Sequence, residues 1–487
     1  MTSQTSLYRD LVRDAMRDDC GSIGADATCG DAVVSLRDGA GTCVVVTDPA
    51  GRPVGILTEQ DVARRIAFVA KPEQPIRDLM TGPVRTISAD EFLFHAVATM
   101  RRLDVRHLPA VDDDGVLVGI LRLKDALFES TPRLMEEMDA LAGDGGIEGL
   151  RAVKGRLAEI AGGLLDDGVP VPQIQALLTE VNNDVYRRVT DLVMEAMARA
   201  GQGPPPREFA VIVMGSGGRG ENFIFPDQDN GLILADRGDG DREAEDAWFL
   251  NLARRLTQAL DTVGFPLCRG DVMATNPVWR QPLADWKRQF SSWVADGTAE
   301  SLRYCDIISD FRAVRGVEGL AQSLRRHMLD TVSANRSFLR GLATESEVAG
   351  VALGFFDRFI LVRDDELHEG TINLKQSGLL PLVEAVRIVA FRDSIAAPST
   401  LGRIDALGEA GYLDRDERDY LSGAYHHLAG LILRHQVAAA RDGKEVSYYV
   451  APESLTRREK DILVDSFKAI RRFRDRVRAE LTGDIFG

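Results

Sequence analysis

The stretch GSGGRGENFIFPDQD, residues 215–229, carries the pattern from which the fold and the site of this chain are best predicted. It follows the short apolar run FAVIVM, residues 209–214, which is typical of a buried strand. Glycines in the turn allow backbone N–H groups to approach an anion closely, and Ser216 can donate its hydroxyl to a phosphate oxygen. A glycine-rich turn alone is a weak signal, because many such turns are only tight connections.

Two acidic residues close this stretch, Asp227 and Asp229, and the apolar run GLIL follows them at 231–234. On an extended strand, residues i and i+2 lie on the same face, so both carboxylates are predicted to project together. Two such acids repel each other and are costly without a cation. Because Mg²⁺ binds carboxylate pairs together with substrate phosphates, the spacing predicts a Mg²⁺ site for a nucleoside triphosphate.

A third acid is expected, because two-metal phosphoryl transfer uses a further carboxylate on the nucleophile side. Asp271 lies in the next extended segment, FPLCRGDVM at 265–273, and is predicted to be that metal ligand and the general base for the attacking hydroxyl. Asp310, in IISDFRAVRG, is the alternative.

The segment 1–130 contains one internal repeat at a constant offset. Met16 matches Met80, and the run at 55–57 matches the run at 119–121. Each copy has two short apolar runs joined by a turn rich in Asp and Gly, which indicates a hairpin, and each ends in a helix. A unit this small buries little surface alone, so we expect the two copies to pack against each other.

The segment 10–130 with this repeat resembles a pair of CBS domains, a Bateman module. The resemblance implies an adenine nucleotide, AMP or ATP, in a cleft between the copies, with Thr58 and Asp61 holding its phosphate and ribose. The second copy has Arg122 in place of the hydroxyl residue and retains Asp125, so one competent site is expected. A homodimer through this pair is also expected; the alternative is a dimerisation module with empty clefts.

The segment 209–315 resembles the nucleotidyltransferase core of the polymerase-β superfamily, especially its protein-modifying branch, PII uridylyltransferase and glutamine synthetase adenylyltransferase. The resemblance rests on the spacing from Ser216 to the two aspartates, and on Arg219 and Glu221. With the CBS repeats in front, the chain resembles a bacterial family of signalling nucleotidyltransferases. This implies that Gly215, Ser216 and Arg219 bind the triphosphate and that the two aspartates bind metal.

The expected fold is α+β and multidomain. Lys375, in GTINLK at 370–375, either reaches the nucleotide phosphates or is an ordinary surface lysine. The predicted domains are a tandem CBS pair at 1–130 (about 10–68 and 74–130), a helical linker at 131–205, a nucleotidyltransferase core with a mixed sheet at 206–330, and a C-terminal helical bundle at 331–487.

Composition excludes several other classes of protein. The net charge of −16 would repel a nucleic acid, and no segment is apolar enough for a signal peptide or a membrane span. Five cysteines without a CxxC pair indicate reduced, structural thiols. We therefore expect a cytoplasmic protein that binds neither nucleic acid nor membrane.

Together these patterns predict Mg²⁺-dependent transfer of UMP or AMP, from UTP or ATP, to a hydroxyl of an acceptor protein. By resemblance the acceptor is PII-like, and adenine nucleotide at the CBS pair regulates the transfer. No His-Asp dipeptide occurs, so the hydrolase of bifunctional uridylyltransferases is not expected. The alternatives are a catalytically silent adenine-nucleotide sensor and a nucleotidyltransferase acting on a small molecule.

Overall fold

The computed structural model forms two compact units, Met1–Ala140 and Leu141–Gly487. No helix within its described residues is long and apolar enough to cross a membrane. The model describes residues 11–483 except for 18–20, 39–42, 59–60, 63–70, 92, 94–95, 97–98, 101–102, 104, 123–131, 167, 237, 239–240, 346–349 and 364. Along 132–145 it describes the backbone only.

The first unit contains two three-stranded sheets, one for each copy of the repeat. In each sheet the middle strand is parallel to the first strand and antiparallel to the third. The middle strands begin at Cys43 and His107, which are as far apart in the chain as Met16 and Met80, and this confirms the repeat. The elements are α1 Val12–Ala15, β1 Gly21–Gly24, α2 Cys29–Asp38, β2 Cys43–Thr47, β3 Pro53–Thr58, β4 Ile87–Ser88, β5 His107–Val111 and β6 Leu117–Arg122.

Contacts between methionine and glycine cross from one copy of the repeat to the other. A Cβ atom added to Gly55 would lie 2.1 Å from Sδ of Met80, which begins the second copy. In the same way, a Cβ on Gly119 would lie 2.8 Å from Sδ of Met16 in the first copy. Only glycine leaves room for these side chains. The residues that mark the repeat in the sequence therefore also pack its copies together.

The second unit is built around a four-stranded mixed sheet with the order β10-β7-β8-β9. β7 is antiparallel to β10 and to β8, whereas β9 is parallel to β8. Every residue of the two central strands is buried, as expected for strands covered on both faces. The strands are β7 Phe209–Met214, β8 Asn230–Leu234, β9 Arg280–Pro282 and β10 Phe311–Gly316.

The segment predicted as a helical linker is helical and packs on this sheet. Val185 and Val189 belong to the same apolar cluster as Val211 of the central strand. From Leu141 onward the segment lies within the second unit. Its helices are α3 Pro132–Asp166, which is interrupted at Gly146, and α4 Val171–Arg199.

The helices between 216 and 333 pack against the sheet, and those from 336 to 482 lie in the predicted C-terminal region. The short strands β11 Ile372–Asn373 and β12 Tyr449–Val450 pair antiparallel within that region. The helices are α5 Ser216–Arg219, α6 Arg242–Val263, α7 Leu283–Asp296, α8 Ala299–Ser309, α9 Glu318–Ser333, α10 Arg336–Glu345, α11 Leu380–Arg392, α12 Thr400–Glu409, α13 Arg415–Arg441 and α14 Arg457–Thr482. The α+β fold class with its mixed sheet and helical C-terminus is therefore confirmed.

Candidate active site

The glycine-rich turn leaves the central strand β7 and is fixed by two glycines. Gly215 has φ 61° and ψ −129°, a conformation that side chains rarely adopt. A Cβ on Gly218 would lie 2.3 Å from the carbonyl oxygen of Asp310, so the backbone of the turn is in close contact with the backbone at Asp310. Ser216 opens the one-turn helix and donates its hydroxyl to Oδ1 of Asn222 at 2.9 Å. These contacts fix the turn at the C-terminal end of β7.

Asp227 and Asp229 lie in an extended segment immediately before β8, because the strand itself begins at Asn230. The backbone amide of Met214 donates to the Asp229 carbonyl at 2.8 Å. Between the aspartates, the fully buried Gln228 donates its Nε2 to the Phe265 carbonyl at 2.9 Å. Since Gln228 faces the core, the aspartates on either side of it face the opposite way. The prediction that both carboxylates share a face agrees with this alternation.

Asp229 is partly buried without an arginine or lysine at ion-pair distance among the described residues. Burial raises the pKa of its carboxyl group, and the neighbouring charge of Asp227 raises it further. A hydrogen bond from the Cys268 thiol and the more distant charges of Lys375 and Arg219 lower the pKa but do not outweigh burial. Burial and the Asp229 carboxylate also raise the pKa of the Cys268 thiol, to about 11. Anionic Asp229 is therefore short of positive charge.

A small cavity brings several of the predicted residues together. Asp227, Asp229, Ser216 and Lys375 all line it. Nζ of Lys375 lies 4.3 Å from the centre of the Tyr448 ring. The enclosed space is about 30 Å³, which accommodates a water molecule or an ion but not a nucleotide. A nucleotide bound here would therefore have this cavity as the floor of its site, with most of the nucleotide above it.

The donor atoms at this floor suit a hard divalent cation. Two carboxylates on one face, one of them with a raised pKa, offer oxygen ligands of the kind that Mg²⁺ takes with phosphate oxygens. Within the described residues, no group of three His, Cys, Asp or Glu side chains is placed to hold a metal ion. The residues present thus fit an ion that also takes ligands from the substrate.

The predicted third carboxylate, Asp271, is not among the residues that line the cavity. Asp271 has φ 55°, its side chain is exposed, and its carboxylate accepts a hydrogen bond from Nδ2 of Asn276 at 3.0 Å. Its role as a metal ligand and base stays a prediction.

Arg219 and the alternative acid Asp310 belong to a buried ion-pair network. Nε of Arg219 lies 2.6 Å from Glu221, and its Nη1 lies 2.8 Å from Oδ2 of Asp310. Arg387 and Arg403 also pair with Asp310, at 2.7 and 2.6 Å. Asp310 therefore has three arginine partners, and the Arg219 guanidinium points into the protein rather than lining the cavity. The contact of Arg219 with the triphosphate stays a prediction.

Sequence reasoning missed the contribution of helix α4. Asn182, Asn183 and Tyr186 from this helix line the same cavity as the two aspartates. The apolar residues of the helix, such as Val185 and Val189, pack in the core. The available signal was the Asn-Asn pair inside a helix, because asparagine is a poor former of helix interiors.

In the first unit, Thr58 and Asp61 bond to each other. Oγ1 of Thr58 donates to Oδ2 of Asp61 at 2.7 Å, and the Asp61 amide donates back to Oγ1 at 3.2 Å. Thr28 and Asp31 make the same pair at the start of helix α2. This is capping geometry, so nucleotide binding by Thr58 and Asp61 stays a prediction. Asp125 lies outside the described residues.

Three family models match the chain. Residues 155–300 match the model described as "Putative nucleotidyltransferase DUF294", and residues 336–481 match "Putative nucleotidyltransferase substrate binding domain". Residues 12–68 and 76–131 match "CBS domain". The chain therefore carries a CBS pair, a region of the DUF294 type and the C-terminal domain that accompanies it. These matches place the chain in the general nucleotidyltransferase class and leave the PII uridylyltransferase branch a prediction.

Curated relatives match shorter parts of the chain. An uncharacterized protein of Methanopyrus kandleri is 38% identical over 86 residues, which cover 17% of this chain and 44% of that protein. A homoserine O-acetyltransferase of Methanobrevibacter ruminantium is 30% identical over 115 residues, which cover 24% of this chain and 23% of that protein. The chain thus spans less than half the length of either relative.

Solved structures of CBS proteins are also similar to part of the chain. A CBS domain protein of Thermoplasma acidophilum is 28% identical with a TM-score of 0.22, covering 24% of this chain and 66% of that one. A CBS domain protein of Pyrobaculum aerophilum, solved in complex with AMP, is 26% identical with a TM-score of 0.24. That match covers 26% of this chain and 97% of the other.

Proposed function

We propose that this protein transfers a nucleoside monophosphate, UMP or AMP, from a nucleoside triphosphate to a hydroxyl group of an acceptor protein with the help of Mg²⁺. The observation that carries the proposal is that Asp227 and Asp229 line one cavity together with Ser216 and Lys375. Among the described residues, no arginine lies at ion-pair distance from either aspartate. The family model over residues 155–300 supports the general class of activity.

The residues at the cavity divide the work of binding between them. Asp227 and Asp229 would hold Mg²⁺, which when bound neutralises phosphate charge and aligns the triphosphate. Backbone N–H groups after Gly215 would bind phosphate oxygens at the start of the one-turn helix. The Ser216 hydroxyl would join them by turning its hydrogen from Asn222 to the phosphate. Lys375 would bind the same phosphate chain from the C-terminal region, since its charge already acts on Asp229.

The transfer itself is a substitution at the α-phosphorus. The acceptor hydroxyl oxygen bonds to that phosphorus, the bond from the phosphorus to the bridging β-oxygen breaks, and pyrophosphate leaves with the electron pair. The hydroxyl proton passes to a general base. We propose Asp271 for this role, because it lies in the next extended segment of the chain after the aspartate pair. If this is its role, Asp271→Asn lowers the rate of transfer and leaves triphosphate affinity unchanged.

The regulatory part of the proposal concerns the CBS pair. Thr58 and Asp61 would hold an adenine nucleotide, AMP or ATP, whose occupancy changes the transfer rate. The support is the match of residues 12–68 and 76–131 to the CBS model. A PII-like acceptor, a dimer formed through the CBS pair and a cytoplasmic location complete the proposal and rest on the resemblance described above.

The test is incubation of the purified protein with a cell lysate, Mg²⁺ and ATP or UTP labelled at the α-phosphate. The expected result is label on a discrete acceptor protein, and its loss in Asp227→Ala and Asp229→Ala with the fold retained. Transfer at the wild-type rate by both variants would contradict the assignment of Asp227 and Asp229 to the active site.

A second candidate function is nucleotide sensing without turnover. It is favoured by one observation, namely that the carboxylate of Asp271 is exposed and bonded to Asn276 instead of lining the cavity. Saturable binding of nucleotide with no label on any product would support the sensor. Label in the low-mass fraction would instead indicate transfer to a small molecule.

A further inference from the structure

Helix α4 presents a pair of buried amides to the cavity that holds Asp227 and Asp229. Asn182 is 1% exposed and Asn183 is 4% exposed, and both line this cavity. Neither residue is part of the glycine-rich turn or of the aspartate segment. An amide placed here can only contact groups that enter the cavity or belong to its walls.

Lys154 of helix α3 fixes the orientation of the Asn182 amide. Its side chain is 1% exposed, and Nζ donates to Oδ1 of Asn182 at 2.8 Å and to the Ile224 carbonyl at 3.1 Å. Nζ also lies 4.1 Å from the centre of the Phe265 ring. Burial lowers the pKa of Lys154, but the two oxygens and the ring face all accept hydrogens and so stabilise an ammonium group with three N–H donors.

Because an ammonium group cannot accept a hydrogen bond, Oδ1 of Asn182 must face Lys154 and Nδ2 must face away from it. Nδ2 is buried and has no hydrogen-bond partner among the described residues. A buried donor without a partner is costly, and such groups in folded proteins usually await a water, an ion or a ligand. The donation from Lys154 also polarises the amide and strengthens its N–H groups as donors.

We propose that Asn182 is a substrate-binding residue whose Nδ2 donates a hydrogen bond to a phosphate oxygen of the bound nucleoside triphosphate, with Lys154 as the positioning residue. This inference rests on the proposed function and deepens it, because it adds helix α4 and the part of helix α3 after Gly146 to the triphosphate site. The predicted linker segment then takes part in substrate binding.

The size of the cavity favours a phosphate oxygen over the base. About 30 Å³ of enclosed space admits an oxygen atom or a water molecule, whereas a nucleobase is several times larger. Two lysines contribute positive charge here: Lys154 donates to the Asn182 amide, and Lys375 lines the cavity. An anionic oxygen is therefore the acceptor that best matches this donor.

The variant that tests the inference is Asn182→Asp. It keeps the shape of the side chain and the contact with Lys154, now as an ion pair, but it replaces the donor with a negative oxygen. Isothermal titration with Mg²⁺-ATP, Mg²⁺-UTP and Mg²⁺-tripolyphosphate measures the effect. We expect affinity for tripolyphosphate and for the preferred triphosphate to fall together by roughly 10- to 100-fold, with the melting temperature unchanged or raised.

Asn335→Asp is the matched control, because it adds the same charge at the cap of helix α10, where Oδ1 accepts from the Phe338 amide at 2.9 Å. It should leave every affinity unchanged. If Asn182→Asp does not fold, Asn182→Ser replaces it, with affinities expected to fall by about tenfold through loss of one hydrogen bond.

The outcomes separate the two proposals. If the wild-type protein binds none of the ligands, the proposed function itself fails. If the wild type binds and Asn182→Asp binds equally well, only the role of Asn182 is overturned. A loss of triphosphate affinity without loss of tripolyphosphate affinity would place the contact at the base or ribose and overturn the phosphate assignment.

Discussion

Asp229 and Asp310 are acidic residues of the same compact unit, yet their surroundings shift their pKa values in opposite directions. Burial raises the pKa of Asp229, which faces a second carboxylate and has no arginine partner within the described chain. Burial alone would also raise the pKa of Asp310, but the guanidinium groups of Arg403 and Arg219 outweigh it and lower the pKa. One carboxylate is left short of positive charge, and the other is surrounded by it.

The difference distinguishes a pair of carboxylates that a bound cation would stabilise from a structural centre whose charges are already paired. Asp310 ties the glycine-rich turn to the C-terminal helices, through Arg219 on one side and Arg387 and Arg403 on the other. The backbone amide of Thr400 joins the same centre by donating to Glu221 at 2.6 Å. The buried network thus positions the turn, whereas the aspartate pair is the part of the unit that we propose binds the cation.

The largest expected effect is on stability, from Asp310→Asn. Removing this charge leaves three arginines in the interior without their shared partner, and breaking such a buried network costs about 3–5 kcal/mol. Urea unfolding of the variant should show this loss. Asp229→Asn is the matched comparison and should be neutral or stabilising, because it relieves repulsion between carboxylates. Equal losses in the two variants would contradict the contrast between the sites.

The same contrast has a pH dependence with a defined sign. Since the pKa of Asp310 is lowered by folding, its contribution to stability is complete above the unfolded-state pKa of about 3.9 and is lost as the pH falls through the lower folded value. The stability difference between the wild type and Asp310→Asn should therefore be constant at neutral pH and shrink in acid. A difference that grows on acidification would show that Asp310 is not charged in the folded protein.

The next effect is expected at the contact between the turn and Asp310. Gly218→Ala forces a Cβ atom to 2.3 Å from a backbone oxygen, and relieving this overlap should cost about 1–3 kcal/mol. In the neighbouring variant Gly217→Ala the nearest atom is a Val213 methyl at 3.4 Å, an ordinary contact. Thermal unfolding of the pair measures the difference. Similar melting temperatures would mean that the turn moves away from Asp310 at little cost.

A smaller effect is expected from Lys375→Met, which removes a positive charge from the aspartate site. Affinity for Mg²⁺-ATP or Mg²⁺-UTP should fall about tenfold while stability changes little, because the side chain is only partly buried. Lys444→Met is the control, since Lys444 is exposed and pairs with the nearby Asp442. Unchanged affinity in Lys375→Met would make Lys375 an ordinary surface lysine.

The smallest effect concerns the first unit. Thr58→Ala should cost about 1 kcal/mol of cap stability and should also weaken the binding of AMP or ATP, measured by isothermal titration. Thr28→Ala removes the same kind of hydroxyl–carboxylate pair at helix α2 and should leave nucleotide binding intact. Equal affinities in the two variants would reduce Thr58 to a capping residue.

Local patterns in the sequence predicted much of this molecule. The constant offset of the repeat places β5 and β6 correctly because each copy carries its own turn and strand signals. The alternation of Asp227, Gln228 and Asp229 predicted a shared face, although the segment precedes the strand rather than forming part of it. Such features depend on neighbours in the chain, and a single sequence contains them.

Pairings between distant residues could not be predicted in the same way. Asp310 is neutralised by Arg387 and Arg403, 77 and 93 residues further along the chain, and no periodicity links them. Likewise, Asn182 is held by Lys154 from another helix, 28 residues earlier in the chain, and no local pattern links the two. Charged and amide side chains gain their roles from partners that only the folded chain supplies.

The central claim, that Asp227 and Asp229 hold a divalent cation for the triphosphate, is tested most directly by binding of Mn²⁺ as a stand-in for Mg²⁺. Electron paramagnetic resonance should show one Mn²⁺ site in the wild type that tightens when ATP or UTP is added. That site should vanish in Asp227→Asn and in Asp229→Asn, both of which should remain folded. Mn²⁺ binding that is indifferent to the triphosphate, or unchanged in these variants, would contradict the account.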